Sequence, residues 1–159
     1  MKNHKYFLAL SLCFIVCTSS LAQDIIRQEP CYNDYIQKQV DSIKEVSISA
    51  GFVVVKEAGI RMESEYEMPV IVPLSQGTWY QVVFIADPNS RLAEVRMFDW
   101  NEKQLVYQKK QPGEIDNNII SYNYIPKFTE YHMIKPVQIN KKKKKSVCGY
   151  IMLLKKLKK

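Results

Sequence analysis

His132 is the single histidine beyond the N-terminal 22 residues, and it sits in a strand-like run, Tyr131-His132-Met133-Ile134. A general base needs a reacting partner within hydrogen-bond reach. No nucleophile elbow, phosphate-cradling glycine loop or His/Cys zinc spacing accompanies this one. Glu63, Glu65 and Glu67 recur at spacing two beside Arg61, which reads as one solvated strand face and not as an acid/base pair. The catalytic expectation is therefore none: this chain is not an enzyme. Asp87/Asn89 and Asp99/Asn101 place oxygen ligands in two turns, the donor type that calcium takes. Neither turn has the dense acidic repeat of a calcium loop, and Asp and Asn at such positions ordinarily cap the turn itself. Calcium is the one cofactor weighed, and the expected set of cofactors and metals is empty.

Two binding chemistries stand beside catalysis. The run Lys141, Lys142, Lys143, Lys144, Lys145 lies between two predicted strands and reads as a hairpin loop. Five ammoniums on one turn attract a polyanion such as an envelope lipid or an acidic polysaccharide. The same run can equally be a solvated turn that guards a sheet edge. No aromatic interleaves it, so specific nucleic-acid binding is not expected. Among the aromatics Trp79, Trp100, Tyr107, Tyr122 and Tyr124, Trp100 is the candidate for stacking on a sugar because it falls in a turn. Core packing accounts for the other four.

The address is written at the start. Lys2 and Lys5 precede a short apolar core from Tyr6 to Cys17, and Ser20-Leu21-Ala22 supplies small residues for cleavage. This predicts a signal peptide over 1–22, a loose lead-in over 23–30, and one domain over 31–159. No later stretch approaches the run of about 20 apolar residues a spanning helix needs. The expected destination is the periplasm or exterior of a Gram-negative-type bacterium. Residues 131–159 carry 10 Lys/Arg and no acid, so the basic excess is confined to one end. Two cysteines remain after cleavage, Cys31 and Cys148. In an oxidising compartment they can pair, contributing about 4 to 5 kcal/mol in the chain-entropy picture. Two free buried thiols are the alternative.

These residues need elements to hold them. Tyr32, Ile36, Val40, Ile43 and Val46 recur at three- and four-residue intervals, predicting an amphipathic helix with Pro30 in its first turn and Gly51 past its end. From Phe52 onward the pattern is β: strands at about 52–57, 60–72, 78–86, 91–98, 105–110, 119–125, 129–137 and 147–155, separated by turn residues. Residues 68–86 read as a hairpin around Ser75-Gln76-Gly77, with Pro69 and Pro73 making its first arm an edge strand. Closely spaced strands without intervening helical periods predict an antiparallel β-sandwich, mainly β, with one helix. Two strands, 79–85 and the last, are apolar on both faces. Their outer faces need a cover, and the helix is the only candidate, so it is expected to lie across one sheet. A Cys31–Cys148 bond would then pin the helix start to the last strand.

The order QGTWYQVVFIAD, RLAEVRMFDWNEKQLVY and IISYNYIPKFTEYHMIKPVQI resembles the secreted bacterial sandwich modules related to the pre-peptidase C-terminal domain. The resemblance covers about residues 68–140 and departs at the helix and the lysine run. It implies a jelly-roll-like or C2-like sandwich with an accessory binding role and no catalytic residue to carry over. The expected function is that of a non-catalytic interaction module, with carbohydrate as one ligand and anionic envelope surfaces, through the lysine loop, as the other.

Overall fold

The computed structural model describes residues 29–111, 118–140 and 146–157. One helix, α1 (Asp34–Ser49), precedes eight strands: β1 (Phe52–Glu63), β2 (Val70–Leu74), β3 (Tyr80–Ile85), β4 (Ser90–Phe98), β5 (Gln104–Lys110), β6 (Ile119–Tyr124), β7 (Glu130–Asn140) and β8 (Ser146–Lys156). They form two four-stranded sheets, ordered β1-β8-β3-β6 and β2-β7-β4-β5, with every pairing antiparallel. Successive strands alternate between sheets except at β4–β5, which is the jelly-roll winding of a two-sheet sandwich. The core between the sheets is built from inward parity, with Val82 and Phe84 of β3 against Val95 and Met97 of β4 and Ile134 of β7.

The helix begins at Asn33, whose Oδ1 accepts from the backbone N–H groups of Tyr35 (2.9 Å) and Ile36 (3.2 Å). This is ordinary N-capping. Pro30 therefore lies before the helix, not in its first turn, and forms an isolated bridge to Ile60. At the other end Gly51 takes φ +84°, the left-handed conformation that closes a helix without Cβ strain. Ile36 and Val40 are buried and pack with Val83, Ile85, Met152, Leu154 and Phe52. The helix thus roofs β3 and β8 as their double-sided apolarity requires. Tyr32 and Val46 do not belong to the buried stripe; Ser47 completes it, donating to Gln81 Oε1 at 3.1 Å. Cys31 and Cys148 are bonded, with Cα atoms 5.5 Å apart and a sequence separation of 117.

Three expectations are corrected. Residues 68–86 are not a hairpin, because β2 pairs with β7 whereas β3 pairs with β6 and β8. A strand apolar on both faces belongs inside the helix-covered sheet, while the proline-bearing β2 fits only an edge. The segment 75–79 is consequently a crossing between sheets. β7 and β8, which flank the lysine run, belong to different sheets and do not pair with each other; Lys141–Lys145 themselves lie outside the described residues, as do the 1–22 leader and most of the lead-in. Finally, Ala58-Gly59, the turn pair that the sequence offers between the predicted strands 52–57 and 60–72, is not a turn, and β1 runs through it. A Cβ on Gly59 would meet the backbone oxygen of Cys31 at 2.5 Å. Residues 29–31 lie against this edge, with Cys31 N–H donating to Gly59 O at 3.1 Å and Arg61 N–H to Glu29 O at 2.8 Å.

Candidate functional site

The outer face of the β2-β7-β4-β5 sheet has no covering element among the described residues. Strand register arranges its side chains in rows running across the strands. In the first row Pro73 pairs with Tyr131, and Trp100, from the β4–β5 turn, packs on Tyr131 with ring centroids 5.9 Å apart and planes at 47°. These rings stay 68% and 53% exposed. In the second row Ile71 faces Met133, which faces Phe98; Ile71 is 52% exposed. Contiguous apolar side chains on an outer face are the kind of surface that monomeric proteins use for contact.

The third row is charged and internally connected. Arg96 lies between Lys135 and Tyr107 in register. Its Nη1 meets Glu67 Oε1 and its Nη2 meets Glu94 Oε2, both at 2.9 Å. Lys135 Nζ takes the other Glu67 oxygen at 3.0 Å while standing 4.9 Å from the centroid of Phe98. Tyr107 donates to Glu94 Oε1 at 3.2 Å. The hydrogen bond that Arg96 donates to Glu94 holds its guanidinium above its usual range. Desolvation and the adjacent Glu94 likewise push the Tyr107 hydroxyl up, keeping it a donor. The row therefore presents fixed donors and acceptors beside an aromatic and aliphatic strip, with its charges already balanced.

The sequence candidates fall in different places. Trp100 is where the turn reading put it, exposed and beside this face. Tyr107 joins the charged row. Tyr122 and Tyr124 pack against the inner core, and Trp79 stands at the far end of the other sheet, edge-on to Phe52 at 6.2 Å. The five aromatics do not form one platform. Glu63, Glu65 and Glu67 do not share a face either: β1 ends at Glu63, Glu65 takes φ +74°, and Glu67 alone reaches the charged row. Tyr131, Arg96 and Lys135 went unnoticed as site residues because alternation within one strand gives a face but not its neighbours. Pairing Tyr131 with a turn tryptophan needs the register of β7 on β2 and β4.

His132 is buried between the sheets, 1% exposed. Its Nε2 shares a hydrogen bond with the Tyr124 hydroxyl at 3.2 Å, and its Nδ1 lies 3.3 Å from Glu130 O. Both ring nitrogens are thus engaged by structural partners. The Asp87 carboxylate accepts from Asn89 N–H at 2.8 Å, and Asp99 accepts from the N–H groups of Asn101 and Lys103, each at 2.9 Å. Both aspartates cap their own turns. Among the described residues no group of three His, Cys, Asp or Glu side chains is placed to hold a metal. No helix among them is long and apolar enough to cross a membrane.

No family model matches the chain, and no curated protein matches it. Among solved structures it is similar to the crystal structure of PliG from Aeromonas hydrophila, a periplasmic lysozyme inhibitor of g-type lysozyme. The two share 7% identity and a TM-score of 0.44, over 63% of this chain and 83% of that one. At that level nothing about ligand or activity transfers.

Proposed function

We propose that this protein is an exported, non-catalytic binding module that takes carbohydrate on the outer face of its β2-β7-β4-β5 sheet. The observation that carries the reading is the exposed Trp100–Tyr131 pair on the same face as a pre-paired charged row, with the Ile71–Met133–Phe98 row between the two. A pyranose ring has an apolar C–H face that packs on an indole, and hydroxyls that require fixed partners around it. The rings offer the first to one sugar unit, and Arg96, Glu67, Lys135 and Tyr107, about 13 Å along the strands, offer the second to a further unit of an oligosaccharide without needing to be reorganised on binding. Export is supported by the leader-like N-terminus and by the Cys31–Cys148 bond, which persists in oxidising compartments. The non-catalytic part is supported by the burial and double engagement of His132, and the absence of a cofactor from the proposal by the turn-capping roles of Asp87 and Asp99. Kinship with pre-peptidase C-terminal-like modules belongs to the same proposal. Anionic-surface contact through Lys141–Lys145 rests on sequence alone.

A glycan array probed with the exported chain tests it. Saturable binding to a neutral glycan is expected, weakened at least about tenfold in Trp100→Ala by loss of one stacking contact, at an unchanged melting temperature. Absence of any saturable neutral glycan, or binding indifferent to Trp100→Ala, would overturn the carbohydrate reading.

A further inference from the structure

The rows on the β2-β7-β4-β5 face are evenly spaced, but its two ends are built differently. Tyr131, Met133 and Lys135 are alternate residues of β7, so successive rows lie about 6.7 Å apart and the first stands about 13 Å from the third. A single pyranose cannot reach from one to the other. Past Trp100 and Tyr131 the strands stop, since β2 ends at Leu74 and β7 begins at Glu130, and both rings stay open to water. In the other direction, alternation makes Val137 and Glu94 the next outward pair in register, yet they are only 6% and 8% exposed. Segment 65–68 follows β7 there, with Glu65 N–H donating to Gln138 O at 2.9 Å and Met68 N–H to Pro136 O at 3.1 Å. From this segment Glu67 reaches onto Arg96, while Arg96 and Tyr107 take the two Glu94 oxygens. The face is thus open past the aromatic row and closed behind the charged one.

Such a surface admits a chain from one side only. In the charged row the cations Arg96 and Lys135 are matched by the anions Glu67 and Glu94, so no excess charge is left for an acidic sugar. Arg96 and Lys135 keep N–H groups beyond those that the two glutamates occupy, and the Tyr107 oxygen can still accept. A terminal sugar unit carries a hydroxyl where an interior unit carries a linkage, so it gains most from a row of hydrogen-bonding groups at a closed end. We infer that this face binds the end of a neutral linear oligosaccharide at least three units long. The terminal unit lies on the charged row, the second on Ile71, Met133 and Phe98, and the third on Trp100 and Tyr131, with any further chain leaving past Trp100. This rests on the carbohydrate reading of the face and adds to it a chain length, a charge and an end-on entry.

Calorimetric titration of the intact protein with cello-, malto- and N-acetylated chito-oligosaccharides of one, two, three and six units tests it. In a series that binds, affinity is expected to rise at least about tenfold from one unit to three, through the added stacking contact, and to change less than about twofold from three to six. Lys135→Met should weaken the three-unit chain at least about fivefold by removing a charged hydrogen bond, at a nearly unchanged melting temperature. Two modified six-unit chains locate the entry, one with its reducing-end unit opened to the alditol and the other O-methylated at its non-reducing end. One of them should lose at least about tenfold while the other binds like the parent. Equal effects of the two modifications, whether none or both, would overturn end-on binding. A single sugar matching the three-unit chain, a continued rise from three units to six, or an unchanged affinity in Lys135→Met would overturn the inference and leave the carbohydrate reading standing. Trigalacturonate binding more tightly than every neutral three-unit chain would do the same. Saturation by no member of any series would overturn both.

Discussion

The two sheets of this sandwich share an inner core but treat their outer faces in opposite ways. On the β1-β8-β3-β6 sheet, Val83, Ile85, Met152 and Leu154 lie under Ile36 and Val40 of the helix. On the other sheet, Ile71, Met133, Phe98 and Tyr131 occupy comparable outward positions and no element among the described residues covers them. Apolar area taken out of water stabilises the fold, at roughly 25 cal/mol per Å²; apolar area left in water on a rigid sheet is available to a partner. The difference teaches that similar residues contribute to folding on one face and stay uncovered, among the described residues, on the other. The deciding element is a helix that only one sheet receives.

Removing the staple of that helix should have the largest effect. Cys31 and Cys148 close a span of 117 residues, so Cys31→Ser with Cys148→Ser should lower unfolding free energy by about 4 to 5 kcal/mol. Urea denaturation of the double variant beside the oxidised protein measures it. A midpoint within error of the parent would show that the bond contributes nothing to holding the cover. Next is a matched pair, Ile36→Ala beneath the helix and Ile71→Ala on the bare face. The first creates a cavity and should cost about 2 to 4 kcal/mol, while the second should stay within about 0.5 kcal/mol. Equal losses would erase the distinction between the faces. Gly59→Ala should cost about 1 to 3 kcal/mol, because its methyl lands on a backbone oxygen that cannot rotate away. Faster amide exchange at Cys31 and Arg61 would locate the damage in the displaced lead-in.

Gly59 also shows where a sequence misleads. An Ala-Gly pair reads as a turn, yet this glycine sits mid-strand to admit the lead-in. Nothing local distinguishes the two uses, because the close approach comes from a segment about 30 residues earlier. By contrast, the helix cover was legible, since strands apolar on both faces leave few arrangements open and only one amphipathic segment was available. Legibility failed at connections: Ser75-Gln76-Gly77 carries hairpin chemistry but crosses between sheets, and pairing partners are set by burial across the whole molecule. The bare face was half legible. Trp100 announced itself as a tryptophan in a turn, whereas Tyr131, Arg96 and Lys135 acquire meaning only when register places them in adjoining rows. Gln138 escaped notice altogether. It is fully buried, accepts from Asp87 N–H and Ser90 Oγ, and donates to Cys148 O, tying β7 to the opposite sheet with a side chain that sequence alone would place in water.

The smallest effect concerns the polar edge of the covered sheet. Glu57 of β1 receives Lys44 of the helix at 2.6 Å and the Tyr150 hydroxyl at 2.7 Å. Desolvation raises the Glu57 pKa, but the hydrogen bonds from Lys44 and Tyr150 outweigh it and hold the group below its ordinary value of 4.5. A carboxylate whose folded pKa is depressed contributes stability that is full above its unfolded pKa and disappears as pH falls through the folded one. Because the pair is partly solvated, its worth is only about 0.5 kcal/mol. Lys44→Met should therefore lose about that much at pH 7, and progressively less as pH drops below 4.5, until variant and parent converge. The corresponding break on the bare sheet, Lys135→Met, leaves Glu67 still held by Arg96 and should be smaller again at pH 7. A larger loss for Lys135→Met than for Lys44→Met would mean that the charged row supports the fold and is not held ready for a ligand.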